Sequence, residues 1–325
     1  MSQKNYQNKD NFLIKHWQTL LIFVLIISNI AIYFSVKPDL QIDPGVAYRQ
    51  QYPLLDGNRR LSDPKDLVVN LQDLRQYLKQ LPEQNKDWAE MSIYFEVFGT
   101  GASVVVNQDL KLFPASLAKL PLAMVVMKKV ESGEWALDKK IVLTKEDADL
   151  FRTPDIAQDI GRSYDVKFLI EQLIIESDNT AYRMLIKELT QPELDSIGEA
   201  VGLDGFFNDE GKISAKDYTR LLRVLYLAVY LNEDNSQTLL SLMQRSEHSG
   251  FLKGGIPNDV PFAHKWGTNL FISVYSDSGI VYVPKRPYMI SVMIRGINGD
   301  PKVNEAKADL LMKEISQRAY AQVVR

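Results

Sequence analysis

A serine and a lysine lie three positions apart in FPASLAKLPL, residues 113–122, between two prolines. Helical residues at i and i+3 share one face, so Ser116 and Lys119 can meet. A serine hydroxyl needs an adjacent base to become a nucleophile, and a buried lysine with a lowered pKa can be that base. Pro121 is tolerated only in a first helical turn, where free N–H groups can stabilise an oxyanion. The alternative is a capping serine beside an ordinary surface lysine.

A second polar stretch, ESDNTA, contains Ser177, Asp178 and Asn179 between two apolar segments with helical character. A short polar turn between two apolar helices can simply be a helix junction that is capped by the Asp or the Asn.

A third stretch, HKWGTN, contains Lys265, Trp266, Gly267 and Thr268 at the start of a β-rich segment. Strand alternation places Lys265 on one face and the side chains of Trp266 and Thr268 on the other. A lysine and a threonine suit a carboxylate ligand, and glycine lets a ligand or another backbone approach closely. The alternative is a strand with a bulge.

Apolar periodicity and turn residues predict the elements that must position these side chains. Leucines at steps of four and three between positions 67 and 81 predict an amphipathic first helix. MSIYFEVFG and ASVVVN predict a hairpin over residues 91–107. Residues 145–232 are predicted to be mostly helical, and FAHKWGTN, FISVYSDS, GIVYVP and YMISVMIRG are predicted strands before a last helix at 302–322. This order favours an α+β fold, with an antiparallel sheet built from both ends of the domain and a helical insert.

The three polar stretches, in this order, resemble the motifs of the penicillin-recognising serine enzymes, which are the β-lactamases and penicillin-binding proteins. The flanking sequences LIIESDNTAYRMLIKEL and DSGIVYVPKRPYMISVMIRG are similar to class A β-lactamases, and the resemblance covers about residues 65–325. It implies a β-lactamase/transpeptidase-like α+β fold with an inserted helical subdomain.

The resemblance also implies a role for each polar residue. Ser116 is then the nucleophile that becomes acylated, and Lys119 is the acylation base or part of its proton relay. Ser177 passes the proton to the leaving nitrogen. Asn179 holds the side-chain amide of the substrate, and Lys265 attracts the substrate carboxylate beside Ser177.

The third motif departs from the family pattern at one position. The family has Lys-Thr-Gly or Lys-Ser-Gly, whereas here the middle residue is Trp266. Gly267 and Thr268 are predicted to bind substrate with it, and the backbone N–H groups of Ser116 and Thr268 are expected to form the oxyanion hole. The loss of one hydroxyl predicts altered carboxylate recognition, which the Thr268 hydroxyl partly restores.

A second departure concerns release of the acyl group. Class A β-lactamases carry a Glu-x-x-Leu-Asn loop whose glutamate activates the deacylating water. The corresponding stretch here, VGLDGFFNDEGKIS, lacks that motif, and Glu210 is the candidate base, with Asp209 and Asp204 nearby. The alternative is that Glu210 is a solvated turn residue. Without a placed base, deacylation by water loses about 10²–10⁴-fold.

Three functions follow as hypotheses. The first is a β-lactamase-like serine hydrolase that acts on β-lactams, as in antibiotic resistance. The second is a D-Ala-D-Ala peptidase or transpeptidase of the penicillin-binding type in the bacterial cell wall. The third is a non-catalytic module that binds wall peptides or β-lactams. The short loop and Trp266 favour the second and third, and the flanking sequences favour the first.

Composition excludes several other chemistries. The chain has no cysteine and three histidines without a His-x-x-x-His pair, so neither thiolate catalysis nor a His- or Cys-based metal site is expected. The net charge is −3 and the basic residues are scattered, so a nucleic-acid partner is not expected. The proposed chemistry requires no metal and no organic cofactor.

The N-terminus carries a targeting signal. Residues 17–36 contain no charge, and about 20 apolar residues suffice to cross the membrane as a helix. Three lysines and one acid precede the segment, which places residues 1–16 in the cytoplasm. Residues 37–64 are then an extracytoplasmic stalk, and 65–325 the hydrolase domain outside the cell membrane. A cleaved signal peptide and a buried core helix are the alternatives.

Overall fold

The structure is a computed structural model. It describes residues 51–54, 70–149, 156–203 and 211–324, together with residues 16, 17, 21, 24 and 26–28. None of the helices in these parts of the chain is long and apolar enough to cross a membrane. Most of the predicted segment 17–36 lies outside the described residues, as do residues 1–15 of the tail before it and most of the stalk after it.

Seven strands form two antiparallel sheets in the described residues. Their bounds are β1 (Ala89–Val97), β2 (Ser103–Val106), β3 (Lys140–Val142), β4 (Ser163–Asp165), β5 (Phe262–Asn269), β6 (Val274–Val281) and β7 (Tyr288–Gly296). The large sheet has the order β2-β1-β7-β6-β5, and β3 pairs with β4 in a separate sheet. The large sheet is therefore assembled from both ends of the domain, as predicted.

Helices make up much of the rest of the described chain, and turns and loops join them to the strands. Their bounds are α1 (Gln72–Gln84), α2 (Lys119–Glu131), α3 (Val166–Glu171), α4 (Asn179–Ile186), α5 (Gln191–Val201), α6 (Ala215–Tyr226), α7 (Glu233–Gln244) and α8 (Pro301–Val324). Short 3₁₀ turns occupy Ala115–Ala118 and Lys253–Gly255, and a π-turn occupies Gln172–Glu176.

The two faces of the large sheet bury different helices. Leu74, Leu78 and Leu81 of α1 pack on one face, together with apolar residues of α8, because each helix has an apolar stripe at steps of three and four. The other face packs against the helices between β2 and β5. These two apolar layers, one on each face of the large sheet, form the α+β architecture that the order of the predicted elements indicated.

Most predicted elements are present. The hairpin β1–β2 and the strands β5 and β7 lie where the sequence placed them, and α8 spans the predicted last helix. The segments FISVYSDS and GIVYVP were predicted as two strands but form the single strand β6, which pairs with both neighbours without a break. The strands β3 and β4 were not predicted, because three residues are too few for an alternation signal.

Tyr52 and Leu54 of the predicted stalk pack against the folded domain. Leu54 is buried, its N–H donates to the Gln237 side chain at 3.0 Å, and its carbonyl accepts from the Tyr282 hydroxyl at 2.9 Å. The segment 51–54 therefore belongs to the same packed unit as α7 and β6.

A buried histidine–aspartate pair holds the strand that carries the third polar motif. His264 Nδ1 on β5 lies 2.9 Å from Asp277 Oδ1 on β6, and Asp277 Oδ2 accepts from the Leu252 N–H at 3.1 Å. Both side chains are almost completely buried. The pair ties β5 to β6 and to the segment that precedes β5.

Candidate active site

The turn that carries Ser116 is a 3₁₀ turn in front of α2. Ala115 has a positive φ of 49°, which turns the chain sharply before Ser116. The buried Tyr218 hydroxyl of α6 donates to the Leu117 carbonyl at 3.0 Å, and burial raises the pKa of Tyr218 well above its usual value, so it stays a donor. Ser116 therefore lies on a strained turn that is stabilised by a hydrogen bond from the buried Tyr218 side chain.

Lys119 begins α2 and is 3% exposed. Its Nζ lies 3.1 Å from Ser116 Oγ and 3.2 Å from Ser177 Oγ. It donates to the Ser177 carbonyl at 2.5 Å and to Asn179 Oδ1 at 2.6 Å. The structure thus brings the first and second polar stretches together around one nitrogen.

The second stretch is both a helix junction and part of this site. Ser177 ends the π-turn with a φ of 56°, so its carbonyl and its hydroxyl both reach Lys119. Asp178 then caps α4 by accepting from the Ala181 N–H at 2.7 Å. Burial raises the pKa of Asp178, although that backbone hydrogen bond and Lys119 oppose the shift.

Gly267 on β5 packs against the backbone of Ser116. A Cβ atom at this position would lie 2.5 Å from the Ser116 nitrogen and 3.2 Å from the Ala115 Cβ. Only glycine lets the strand approach the turn so closely. The same approach brings the adjacent Thr268, which is partly exposed, to the edge of the site.

Lys265 and Trp266 are consecutive residues of β5, and Lys265 Nζ lies 5.6 Å from the centroid of the Trp266 ring. Lys265 is fully buried, and its Nζ donates to the Trp266 carbonyl at 3.2 Å. The Trp266 ring stacks on His248 with centroids 4.1 Å apart and meets the edge of Phe251. Burial lowers the pKa of His248, so this imidazole is neutral at neutral pH. The large ring is therefore used in packing.

Asp149 is a site residue that the sequence reasoning missed. Its side chain is 5% exposed, and its Oδ2 accepts from Asn179 Nδ2 at 2.6 Å. Its partner lies 30 residues further along the chain. No motif marks Asp149 among the neighbouring acids Glu146 and Asp147, so the sequence offers no signal that could have found it.

Glu210, the candidate deacylation base, lies outside the described residues, as do Asp209 and Asp204. Its position relative to Ser116 therefore stays a prediction. Ser116, Ser177 and Asn179 all contact Lys119, whereas Lys265 and Thr268 lie on the strand β5.

Known proteins are similar to this chain in sequence. The sequence model of the beta-lactamase enzyme family matches residues 73–323. The β-lactamase VEB-1 of Pseudomonas aeruginosa is 22% identical over 227 residues, which cover 62% of this chain and 75% of that protein.

Solved structures share the fold. A mutant of PBP-A, in an acyl-enzyme complex with penicillin G, superposes with a TM-score of 0.69 at 24% identity, covering 77% of this chain and 96% of that one. A β-lactamase from Chitinophaga pinensis has a TM-score of 0.68 at 22% identity, covering 78% of this chain and all of the other. At this identity the two likenesses establish the architecture.

The strain at Ala115 predicts an unusual response to glycine. An L-residue in the left-handed region costs roughly 1–2 kcal/mol, so Ala115→Gly should leave the free energy of unfolding unchanged or raise it by up to about 1 kcal/mol. Ala118→Gly, three residues later at a φ of −60°, is the matched control and should lower stability by about 1 kcal/mol. Urea denaturation of both variants checks this. An equal loss in both would contradict the assigned backbone strain.

Proposed function

The chain belongs to the beta-lactamase enzyme family and is a β-lactamase-like serine hydrolase, and from this premise we propose that it forms an acyl-enzyme at Ser116 with β-lactams. The observation that carries the proposal is the position of Lys119. Its buried nitrogen lies 3.1 Å from Ser116 Oγ and is held by oxygens of Ser177 and Asn179.

The contacts of Lys119 suit a neutral amine that acts as a base. The Ser177 carbonyl and Asn179 Oδ1 can only accept hydrogen bonds, so they take the two N–H groups of a neutral amine. The lone pair is then directed at the Ser116 and Ser177 hydroxyls, which lie 3.1 and 3.2 Å from Nζ and each have a proton to give. Lys119 is thus oriented to take the Ser116 proton during attack.

The acylation step uses these groups in order. Ser116 Oγ attacks the carbonyl carbon of the β-lactam amide while its proton passes to Lys119. The N–H groups of Ser116 and Thr268 stabilise the tetrahedral oxyanion. The C–N bond then breaks, and the Ser177 hydroxyl relays a proton from Lys119 to the leaving nitrogen. The product is an ester on Ser116.

Recognition of the substrate carboxylate is assigned to Lys265 and Thr268. The packing of Trp266 against His248 and Phe251 supports this division, because the ring is used in these contacts and supplies no hydroxyl. The neutral His248 adds no positive charge there. We expect weaker carboxylate binding than a Lys-Thr-Gly strand provides.

A second candidate function is a D-Ala-D-Ala peptidase or transpeptidase of the cell wall. The observation that favours it is the stretch VGLDGFFNDEGKIS, which lacks the Glu-x-x-Leu-Asn motif. If Glu210 does not activate a water, the acyl group stays on Ser116 until another acceptor removes it. The two candidates share acylation and differ in turnover.

One experiment separates them. We expect the full-length protein to be labelled stoichiometrically by a fluorescent penicillin, and Ser116→Ala to abolish the label. Rapid turnover of a chromogenic cephalosporin, lost in Glu210→Gln, would identify the β-lactamase, whereas a stable label without turnover favours the peptidase. Ser62→Ala, in the second Ser-x-x-Lys of the chain, is the matched control and should label normally. No labelling of the wild type refutes both candidates.

The close contact of Gly267 with Ser116 predicts a loss of acylation without a general loss of structure. An added Cβ must displace the Ser116 amide, so Gly267→Ala should slow penicillin labelling about 10²–10³-fold, the effect of losing one oxyanion donor. Gly279→Ala is the control, since its Cβ meets the Ala263 carbonyl instead. It should lower stability while the folded fraction labels at the normal rate. Equal labelling rates in both variants would count against the oxyanion assignment.

We also place the hydrolase domain outside a bacterial cell membrane, anchored through residues 17–36. The support is the uncharged segment and the lysines before it. Because the chain has no cysteine, single cysteines report topology. In intact spheroplasts, Asp259→Cys should react with a membrane-impermeant maleimide and Ser2→Cys should not. Labelling of Ser2→Cys would overturn the proposed orientation. Extraction of the protein by alkaline carbonate would overturn the anchor.

A further inference from the structure

Asp149 is fixed to the first turn of α4 by two hydrogen bonds. Its backbone N–H donates to Thr180 Oγ1 at 2.9 Å, and its carboxylate accepts from Asn179 Nδ2 at 2.6 Å. Thr180 is completely buried and the Asp149 side chain is nearly so. The carboxylate therefore has little freedom to move away from Asn179.

The Asn179 carboxamide lies between two groups of opposite hydrogen-bonding character. An ionised carboxylate can only accept, so the nitrogen of the amide must face Asp149. The amide oxygen then faces Lys119, whose Nζ donates to it at 2.6 Å. With the opposite orientation, two oxygens would meet at Asp149, and Lys119 would lose one of its acceptors.

This orientation has a consequence for the substrate. Nδ2 of Asn179 carries two hydrogens, and the bond to Asp149 uses one of them. Among the described residues no acceptor is recorded for the other. An N–H presented in a fixed direction beside Lys119 suits the carbonyl oxygen of an acylamino side chain.

An arginine lies near the Asp149 carboxylate. Arg183 Nη2 lies 3.9 Å from Asp149 Oδ1, and the Arg183 side chain is 45% exposed. Its guanidinium also donates to the Ala148 carbonyl at 3.1 Å. A hydrogen bond to a carboxylate polarises the Asn179 amide and strengthens its second N–H as a donor.

We propose that Asp149 is a positioning residue that fixes the Asn179 carboxamide and thereby favours β-lactams with an acylamino side chain over those without one. The inference rests on the proposed acylation at Ser116. It adds a residue that acts through Asn179 and does not itself contact the reacting atoms.

The test compares two substrates on the full-length protein. Penicillin G has a side-chain amide, and 6-aminopenicillanic acid lacks it. We expect the ratio of their acylation rate constants to fall about tenfold in Asp149→Ala, and by less in Asp149→Asn, whose oxygen can still accept. A purely structural role would slow both substrates alike and leave the ratio unchanged, which would overturn the proposal.

Asp147→Ala is the matched control. Asp147 is equally buried on the same segment, but it contacts Thr144 and Lys187 and has no recorded contact with Asn179. Its substrate ratio should equal that of the wild type, and an equal fall in both variants refutes the inference. If Asp149→Ala does not fold, Asp149→Leu, which also lacks an acceptor, decides the matter, since an unchanged ratio there overturns the proposal. Absence of labelling in the wild type is a different result, which refutes the acylation itself.

Discussion

The burial of the Lys119 nitrogen is the constraint on which the candidate site depends. A polar group removed from water costs several kcal/mol unless oxygens or nitrogens replace its hydration. At 3% exposure, Lys119 obtains those oxygens from Ser177 and Asn179, which lie about 60 residues further along the chain. The start of α2 must therefore lie in contact with the junction before α4, and the chain between them must fold so that this contact can form.

Strained backbone supplies the geometry that this meeting requires. Ser177 has a left-handed conformation, and it thereby directs both its carbonyl and its hydroxyl at one nitrogen. Ala115 has the same kind of conformation on the other side of the site. Each such residue costs of order 1–3 kcal/mol, so rigid neighbours must hold it. The buried Tyr218 hydroxyl below the Ser116 turn and Gly267 beside it are those neighbours.

The sequence predicts the parts of this arrangement that have local signals. Strands β5 and β7 follow from their β-branched and aromatic runs, and α8 follows from its apolar stripe. The pairs Ser116–Lys119 and Ser177–Asn179 are found because each spacing is short. Asp149 is missed because its partner lies 30 residues away and its surroundings contain several equivalent acids. The turn of π-helix that precedes Ser177 is missed too, because its sequence QLIIE is typical of an ordinary α-helix.

In the third polar motif, the contacts that position β5 are different from the groups that would bind the substrate carboxylate. Trp266 stacks on the neutral His248, and the buried His264–Asp277 pair ties the same strand to β6 and to Leu252. These contacts hold β5 rigidly, so that Gly267 keeps its close approach to the Ser116 amide. The hydroxyl that would bind a carboxylate is absent from position 266, yet the backbone that would bind an oxyanion is well supported. The proposed acylation of Ser116 thus depends on packing contacts and does not depend on how strongly the substrate carboxylate is held.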